Sequence, residues 1–398
     1  MKKILIFSQA MEIGGAERAL LGLLESFDTT KYEIDLFLMR HQGDLMDLIP
    51  SKVNLLPENK KYASLGIPLT SVIKNGDFGI ALGRLNGKIK TSQYIKKHNV
   101  ESGKAIADLY SHKYLVNHLP EISCETYDVA ISFLAPHYFV DKNVKANKKI
   151  AWIHTDYLTL ELDVESELEM WSKYDKIVSI SNEVTNAFLK TFPSLEDKIF
   201  LIENILSKDF TDSQAGLIDV ADEMNCDGTK LLSIGRFCEA KNFDNVPEIA
   251  NIIKSKGIDF KWFIVGYGAD EDLIRSKIAE FNMEDTVILL GKKENPYPYI
   301  KNCDIYVQPS RYEGKAVTVH EALILNKPVV IANYATAKSQ VNDGFDGIIV
   351  PQGNQGCADG LAEVIQNKEL QNQLIENTKS TNYSNESEVE KLYELIED

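Results

Sequence analysis

Short hydrophobic runs recur along the chain, and each is followed by a loop and a stretch with apolar residues at helical spacing, as at residues 17–26. Uninterrupted apolar runs of this length are typical of strands that are buried on both faces. In the first half of the chain they lie at residues 3–8, 34–39, 129–134, 150–154 and 177–180. Strands that alternate with helices predict a parallel sheet covered by helices on both faces.

The same pattern restarts after the polar stretch of residues 207–229. The strands predicted there lie at residues 231–235, 262–266, 287–290, 305–308 and 329–332. We therefore predict one α/β domain over residues 1–205, with a mostly helical insertion at about residues 60–122, and a second over residues 206–380. Residues 381–398 are predicted to form a charged C-terminal helix. The length of 398 residues agrees, because a domain usually takes ~100–200 residues.

Composition narrows the class of protein. Hydrophobic residues make up 44% of the chain, so a globular core is expected. The formal net charge of −16 argues against a nucleic acid as partner. The five cysteines are scattered without a C-x-x-C pair, which argues against a disulfide framework and a cysteine zinc site.

No apolar run approaches the ~20 residues of a membrane span. The N-terminal apolar stretch meets Glu12 and a glycine pair instead of a cleavage site, so we expect a cytoplasmic protein.

One basic segment lies within this acidic chain. Residues 81–100 contain no Asp or Glu, and Leu82, Leu85 and Ile89 fall on one face of a predicted helix. The cations of this segment are Arg84, Lys88, Lys90, Lys96 and Lys97. A basic amphipathic helix can lie on an anionic membrane surface, here the inner face of the cell membrane. The alternative is a solvated helix whose apolar face packs against the core, and the sequence leaves both interpretations open.

Residues with binding chemistry follow the predicted strands, which is where open α/β sheets bind their ligands. Gly14 and Gly15, after the first strand, allow backbone N–H groups to approach an anion, although a tight turn alone would also explain them. Arg236 follows the first strand of the second domain, and Lys241 comes five residues later. Two such cations suit a diphosphate, and the alternative is that both are solvated. Gly266 begins another close-approach loop after the next strand.

The segment after the strand at residues 305–308 holds two carboxylates. Glu313 lies in a strand-to-helix loop, and Glu321 lies eight residues later inside the predicted helix. Eight helical residues rise ~12 Å, so these side chains can contact two ends of an extended ligand, with an anion at the helix N-terminus between them. The apolar neighbours of Glu321 predict a buried carboxylate that needs partners such as ligand hydroxyls. The alternative is that both carboxylates face solvent.

A second acidic pattern, Asp270-x-Asp272, would suggest a bound metal ion in another fold. Here it opens the helix that follows the V-G-Y-G turn, where acidic side chains favour the helix N-terminus. We therefore predict a role at the start of the helix, and no metal site.

Taken in order, the motifs resemble those of a known family. They are G-G-A-E-R at residues 14–18, G-R-x4-K at 235–241, V-G-Y-G at 265–268, Q-P-S-R-Y-E-G with E-x7-E at 308–321, and D-G-F-D-G-I-I-V-P at 343–351. This set of motifs resembles the donor site of the retaining glycosyltransferases of family 4. Its residues are most similar to those of members that build capsular and exopolysaccharides. The resemblance implies a GT-B fold, in which two Rossmann-like α/β/α domains face a central cleft and a C-terminal helix crosses back to the first domain. The domain at residues 1–205 would bind the acceptor, and the domain at residues 206–380 would bind the nucleotide-sugar donor.

The resemblance also implies a role for each motif residue. Arg236 and Lys241 would hold the donor diphosphate, Glu313 would face the donor sugar, and Glu321 would bind the ribose hydroxyls. From the first domain, His154 would reach the reacting sugar. The implied catalytic residues are thus His154, Arg236, Lys241 and Glu313. The remaining implied donor contacts are Gly14, Gly15 and Gly266, Lys293 near the base, and the backbone of Gly314, Lys315, Ala316 and Val317 around the sugar and β-phosphate.

By the same resemblance the reaction moves a sugar from a nucleotide sugar, expected to be UDP-linked, to a growing glycan on a lipid carrier or protein. It would retain anomeric configuration and need no metal cofactor. His154, a lone histidine in an apolar setting, is otherwise explained as a core residue. Two further functions stay open, a non-catalytic glycosyltransferase-like partner that binds glycan and a nucleotide-sugar epimerase of the same fold. An NAD dehydrogenase is disfavoured, because no strand is followed by the full glycine fingerprint.

Overall fold

The structure is a computed structural model that describes residues 1–12, 14–100, 103–155, 157–313 and 316–398. The chain divides into two compact units. The first comprises Met1–Ile205 together with Glu386–Asp398, and the second comprises Leu206–Asn385.

The first unit is built on a parallel sheet. Within the described residues its strands are β1 (Lys2–Ser8), β2 (Tyr32–Leu38), β3 (Asn54–Leu55), β4 (Thr126–Ser132), β5 (Lys145–Ile153), β6 (Lys176–Ser179) and β7 (Ile199–Leu201). They are arranged in the order β3-β2-β1-β4-β5-β6-β7, so the direction of winding reverses between β1 and β4. The middle of β1, from Ile4 to Phe7, is fully buried, as expected of a strand with both faces covered.

Helices connect these strands and fill the predicted insertion. In this part of the chain they are α1 (Gly15–Ser26), α2 (Lys60–Ala63), α3 (Leu69–Lys74), α4 (Phe78–His98), α5 (Lys104–Leu115), α6 (His137–Asn143), α7 (Val164–Trp171) and α8 (Asn182–Thr191). Their apolar side chains join those of the sheet in a core that contains Trp171, Tyr174 and Phe188, all fully buried.

The second unit repeats this plan. Its strands are β8 (Thr229–Ile234), β9 (Phe260–Val265), β10 (Val287–Gly291), β11 (Ile305–Gln308), β12 (Val329–Ala332) and β13 (Gly347–Val350). Its helices are α9 (Lys208–Ala215), α10 (Val246–Ser255), α11 (Glu271–Glu280), α12 (Tyr297–Asn302), α13 (Val317–Ile324), α14 (Asn354–Gln366) and α15 (Lys368–Ser380). The parallel strands follow the order β10-β9-β8-β11-β12-β13, so the winding reverses between β8 and β11.

The last helix, α16 (Glu388–Glu397), belongs to the first unit, as predicted. Its residues Val389, Leu392 and Ile396 are buried. The ring of Tyr393 stacks on Tyr32 with centroids 4.6 Å apart, and its hydroxyl accepts a hydrogen bond from the Asp28 N–H at 2.8 Å. The amphipathic pattern of the chain end therefore covers apolar surface of the first sheet and its connections.

Helix α4 is the basic segment singled out above, and one of its faces packs closely on α5. A Cβ atom on Gly83 would lie 2.6 Å from Leu115 Cα, and one on Gly87 would lie 2.9 Å from Ser111 Cα. Neither distance is compatible with a side chain, so these glycines permit the close approach of the two helices.

The opposite face of α4 carries an exposed apolar stripe, formed by Phe78, Leu82, Leu85 and Ile89. These side chains are 68, 53, 46 and 47% exposed. Their spacing places them on one side of the helix, away from the glycines. The interpretation in which this apolar face packs against the core is therefore wrong, because the glycine face occupies that position. Within the described residues, none of the helices has the length and apolar character needed to cross a bilayer.

Candidate functional site

The reversal between β8 and β11 defines a candidate site in the second unit. In open parallel sheets a crevice forms at the carboxyl ends of the two strands on either side of such a reversal. Gly235 and Arg236 follow β8, and the segment from Pro309 to Glu313 follows β11. Arg236 and Glu313 thus lie at the edge of the sheet that this topology designates for ligands.

The loops after β8 and β9 approach each other through glycine. A Cβ on Gly266 would lie 1.9 Å from the Gly235 carbonyl oxygen, and one on Gly268 would lie 2.3 Å from the Phe237 carbonyl oxygen. The Phe237 N–H donates to the Tyr267 carbonyl at 2.8 Å, which holds the two loops together. The predicted close-approach loop at Gly266 therefore approaches a neighbouring backbone, and the side of Gly235 is covered by the Lys241 side chain, 3.2 Å from where a Cβ would stand.

Lys241 and Glu313 form an ion pair at this edge. The Lys241 ammonium donates to Glu313 Oε1, and the two side chains are 20% and 10% exposed. Lys241 ends a short 3₁₀ turn, Glu239–Lys241, and the next residue, Asn242, has a left-handed backbone with φ of +61°. The Asn242 amide donates to the Pro309 carbonyl at 2.9 Å, which fixes this turn against the loop that carries Glu313.

A chain of polar side chains lies behind Glu313. Glu313 Oε1 also accepts from Ser310 Oγ at 2.6 Å and from Gln308 Nε2 at 3.1 Å. The Tyr306 hydroxyl lies 2.7 Å from both Gln308 Oε1 and Thr318 Oγ1. These donors hold the carboxylate in one orientation, so Glu313 is positioned before any ligand arrives. The sequence analysis missed this chain of contacts.

Glu321 lies on α13 and is fully buried. Its Oε1 accepts a hydrogen bond from the Tyr297 hydroxyl at 2.8 Å. Burial raises the pKa of Tyr306 well above its usual range, and the carboxylates of Glu321 and Glu313 add to that shift. Tyr306 therefore lies within electrostatic reach of both carboxylates. Helix α13 begins at Val317 with Ala316 as its N-cap, so the estimate of eight helical residues between the two glutamates is too long.

The segment after β12 lies beside Glu313, although the sequence analysis did not assign it to the site. Thr336 Oγ1 donates to the Glu313 carbonyl at 2.9 Å, and Gln340 Nε2 donates to Thr336 Oγ1 at 3.2 Å. Gln340 Oε1 accepts the Ala316 N–H at 2.9 Å. The buried Tyr334 hydroxyl has no hydrogen bond of normal geometry among the described residues, and burial together with Glu313 raises its pKa. A polar group of a ligand could therefore satisfy Tyr334.

The other predicted residues of the second unit lie in different settings. Arg236 is exposed and makes no hydrogen bond or ion pair with the residues the structure describes. Lys293 follows β10 and pairs with Glu223 at 2.6 Å, with its ammonium 5.2 Å from the ring centre of Tyr299. Among the described contacts, none joins Lys293 to the ion pair of Lys241. The predicted contacts of Gly314 and Lys315 lie outside the described residues, and Val317 is the first residue of α13.

In the first unit, His154 directly follows β5. Its ring lies 4.6 Å from that of Phe133, and burial lowers its pKa to about 4, so the imidazole is neutral near pH 7. Gly14 is the N-cap of α1, which begins at Gly15. A Cβ on Gly14 would lie 2.1 Å from Glu17 Oε2, so an anion at this helix start would have to displace the Glu17 carboxylate.

Two acidic residues that resembled a metal motif lie at the start of α11. Asp270 is the N-cap residue and Asp272 lies in the first turn, where a carboxylate interacts favourably with the helix dipole. Across the described residues, there is no cluster of three or more His, Cys, Asp or Glu side chains placed to hold a metal ion.

A known protein family matches most of the second unit. Residues 221–381 match the model of the family "Glycosyl transferases group 1". The match contains the whole β8 to β13 sheet and with it Arg236, Lys241, Glu313 and Glu321.

Curated proteins match over a similar part of the chain. The amylovoran biosynthesis glycosyltransferase AmsK of Erwinia amylovora is 30% identical over 144 residues, which are 34% of this chain and 35% of that protein. The poly(ribitol-phosphate) alpha-N-acetylglucosaminyltransferase of Staphylococcus aureus is 27% identical over 168 residues, 41% of this chain and 34% of that protein. The chain thus spans about a third of the length of these relatives.

Solved structures match over the whole chain. A TarM variant of S. aureus, in complex with fondaparinux, alpha-GlcNAc-glycerol and UDP, has a TM-score of 0.69 at 16% identity and 100% coverage of both chains. Anabaena HepE in complex with UDP and glucose has a TM-score of 0.68 at 14% identity, again with 100% coverage of both chains. At this level of identity the likeness shows the fold alone. The expected fold class, GT-B with two parallel-sheet α/β units, is confirmed.

Proposed function

We propose that this protein is a retaining glycosyltransferase that moves a sugar from a nucleotide sugar to a glycan acceptor without a metal ion. The single observation that carries the proposal is the Lys241–Glu313 ion pair, held at the strand reversal of the second unit. The match of residues 221–381 to a glycosyltransferase family supports it.

The positive charges of Arg236 and Lys241 suit the cleavage of the bond between the sugar and the diphosphate. As the sugar leaves the nucleotide, negative charge develops on the departing diphosphate. Arg236 can bind it through a planar fork, and Lys241 can act as a point charge. Fixed cations at this place supply the electrostatic stabilisation that a metal ion supplies in other enzymes. The leaving phosphate oxygen can accept the proton of the attacking hydroxyl, on the face of the sugar that it leaves, which retains the configuration.

The two carboxylates bind the remaining parts of the donor, which are the sugar and the ribose. Glu313, fixed by Ser310 and Gln308, faces the donor sugar, and the unsatisfied Tyr334 hydroxyl can bind the same ring. Glu321 accepts hydrogen bonds from the ribose hydroxyls. For the first unit, the roles that the resemblance implies for Gly14, Gly15 and the neutral His154 stay predictions.

The donor and pathway are part of the same proposal. A UDP sugar is favoured, because UDP is bound in two of the proteins that share this fold. Synthesis of a cell-surface glycan is favoured by the partial similarity to a glycosyltransferase of amylovoran biosynthesis.

A donor screen tests the function directly. UDP-glucose, UDP-N-acetylglucosamine, GDP-mannose and ADP-glucose are each added to the protein, and thermal unfolding and nucleotide release are measured. A ligand at 100 times its Kd stabilises the folded state by about 2.7 kcal/mol, so a bound donor raises Tm. We expect a UDP sugar to raise Tm and to release UDP slowly into water without added metal. Absence of stabilisation and release with all four donors would contradict the proposal, and stabilisation without UDP release or sugar transfer would favour the non-catalytic partner.

The exposed stripe on α4 leads us to propose, separately, that this helix lies on an anionic membrane surface. Its four apolar side chains face away from the core, and Lys88, Lys90, Lys96 and Lys97 belong to the same acid-free helix. A protein with a net charge of −16 is repelled by anionic lipid in general. A helix that combines an exposed apolar stripe with basic side chains therefore marks the part of the protein that such a surface would attract.

The membrane proposal predicts that the protein sediments with vesicles of phosphatidylglycerol and phosphatidylcholine, and far less with phosphatidylcholine alone. Leu82→Gln, Leu85→Gln and Ile89→Gln together are expected to lower the vesicle partition coefficient at least tenfold. The double variant Leu217→Gln/Ile218→Gln is a control, because these exposed apolar residues lie in the second unit. Equal sedimentation of the triple variant would overturn the proposal. Conversion of a dimer to a monomer by the triple variant would instead assign the stripe to a second copy of the chain.

A further inference from the structure

Arg311 lies in the loop between β11 and α13, two residues before Glu313, and it contacts the turn that carries Lys241. Its backbone N–H donates to the Ala240 carbonyl oxygen at 2.9 Å, and its Nη1 donates to the Glu239 carbonyl oxygen at 2.5 Å. Glu239 and Ala240 directly precede Lys241 in the chain. Arg311 therefore binds the part of the backbone from which the Lys241 side chain extends.

The guanidinium of Arg311 also forms an ion pair with Asp244, three residues after Lys241. Its Nη1 and Nη2 donate to the two carboxylate oxygens of Asp244 at 2.9 and 2.6 Å, and this bidentate geometry fixes the orientation of both groups. The two side chains are 31% and 19% exposed, and ion pairs near the surface add little to the stability of a fold. Arg311 thus contacts the chain on both sides of Lys241, and we expect these contacts to affect local geometry more than overall stability.

A cavity of about 150 Å³ borders the loop that carries Arg311. It is lined by Pro309, Ser310 and Arg311 from this loop and by residues 352–354 from the segment that leads into α14. Atoms that border an empty space lack packing contacts on that side. Packing therefore supports the loop only in part, and hydrogen bonds such as the one from Gln352 Nε2 to the Arg311 carbonyl oxygen, at 2.8 Å, supply further support.

The Lys241–Glu313 ion pair cannot fix the spacing of its own partners once a donor is bound. In the proposed function Lys241 then stabilises the diphosphate and Glu313 faces the sugar, so the two side chains act on opposite sides of the bond that breaks. The contacts of Arg311 to Asp244 and to the backbone before Lys241 involve no group assigned to the donor. They can therefore persist throughout the reaction.

We propose that Arg311 is a positioning residue, which sets the distance between Lys241 and Glu313 across the bond that breaks. It acts through these two residues and does not itself touch the donor. This inference rests on the proposed function and adds to it the residue that keeps the phosphate-binding and sugar-binding groups in register. A misplacement of about 1 Å at a reacting centre can cost about 100-fold in rate, so the effect of losing Arg311 is expected to fall on kcat.

Arg311→Ala is expected to lower kcat for UDP release from the UDP sugar by about 10- to 100-fold, with little change in the KM for that donor or in Tm. The matched control is Arg275→Ala. Arg275 also binds a carboxylate through two of its nitrogen atoms, but its partner is Glu271 on the same helix, so kcat should stay at the wild-type value. Wild-type kcat in folded Arg311→Ala would overturn the proposal, and so would a lowered Tm with normal kcat, since a purely structural residue gives that result.

Two conservative variants keep the test decisive if Arg311→Ala fails to fold. Arg311→Lys retains a positive charge and the backbone contact to Ala240, so it is expected to keep more of the wild-type kcat than Arg311→Ala does. Asp244→Asn retains the size of its side chain and weakens the bidentate pair, so kcat should fall in the same direction. In the double variant Arg311→Ala/Asp244→Asn the losses are expected to be less than multiplicative, because both changes remove one shared contact. Fully multiplicative losses would show that Arg311 does not act through Asp244.

The rate at which an amine reagent acetylates Lys241 measures its positioning without any sugar transfer. In the wild type its ammonium is paired with Glu313 and its side chain is 20% exposed, so labelling should be slow. Arg311→Ala is expected to be labelled several-fold faster at Lys241, as measured by mass spectrometry of peptides from the full-length protein without donor. Lys256, which pairs with Asp359, should be labelled at the same rate in both proteins.

The two readouts separate this inference from the proposed function. If the wild type released no UDP while Arg311→Ala accelerated the labelling of Lys241, the proposed function would fail and the positioning of Lys241 by Arg311 would stand. If the wild type released UDP and Arg311→Ala changed neither kcat nor the labelling of Lys241, this inference alone would be contradicted.

Discussion

Lys241→Ala is expected to lower kcat by about 100- to 1,000-fold, because the departing diphosphate loses a cation fixed beside the breaking bond. The loss falls on kcat more than on donor binding, since the charge that Lys241 stabilises develops as the bond breaks.

Glu313→Gln removes the other partner of the same ion pair. Its amide can still accept from Ser310, so the loop is expected to remain folded while kcat falls.

The matched control for Lys241→Ala is Lys256→Ala. Lys256 also forms an ion pair in the second unit, with Asp359, but both partners are largely exposed, so its removal should leave kcat and Tm nearly unchanged. Steady-state release of UDP from a UDP sugar measures kcat, and thermal unfolding shows whether each variant is folded. A Lys241→Ala protein with normal Tm and wild-type kcat would remove the proposed role of the ion pair.

Glu321→Gln is expected to raise the KM for the donor by about 10- to 100-fold with little change in kcat. Hydrogen bonds to a charged group contribute ~1.5–3 kcal/mol, and the ribose hydroxyls would lose the charge of their acceptor. The Tyr297 hydroxyl can still donate to the side-chain amide oxygen that replaces the carboxylate, so the fold of α13 should persist. Substitution of Glu313 is thus expected to change mainly kcat, and substitution of Glu321 is expected to change mainly the KM for the donor.

A ribose analogue makes the test of Glu321 specific. Wild-type protein should bind 2′-deoxy-UDP more weakly than UDP, and Glu321→Gln should bind the two nucleotides about equally, as measured by calorimetry. Tyr297→Phe is the control for the local hydrogen bond, because it leaves the carboxylate in place. If the variant still prefers UDP over 2′-deoxy-UDP to the wild-type extent, Glu321 does not bind the ribose.

The central strands could be predicted from the sequence because their middle residues are buried on both faces and therefore apolar, as at residues 4–7 of β1 and residues 262–265 of β9. The sequence analysis missed β3, β7 and β13, which lie at the edges of their sheets and contain two to four residues. These strands are short and pair on one side only, so little in their composition distinguishes them from loops. The longer edge strand β10, with five residues, was predicted.

The candidate site was predictable in its residue types and not in its pairings. Lys241 and Glu313 are 72 residues apart, and nothing local indicates that they form one ion pair. The supporting residues Tyr306, Gln308 and Ser310 occupy alternate positions along β11 and its extension, so they point to the same side. Polar side chains at alternate positions of an otherwise apolar strand were the signal that would have identified them.

The orientation of α4 illustrates a second limit. The apolar spacing of Leu82, Leu85 and Ile89 predicted an amphipathic helix, and the more common arrangement turns that face inward. Gly83 and Gly87 recur at the same helical spacing on the other side and mark the face that meets a neighbouring helix closely. Small residues at i and i+4 therefore indicated the packed face more reliably than hydrophobicity did.

The return of α16 to the first unit means that the second unit is inserted between two segments of the first. The chain leaves after Ile205 and re-enters at Glu386, and the Leu206 N–H donates to Asn385 Oδ1 at 2.8 Å, so both ends of the inserted unit lie side by side. Residues 206–385 could therefore be excised as one piece and exchanged for the equivalent piece of a related protein. By the proposed function, such a chimera would carry the donor site of one protein together with the first unit of another.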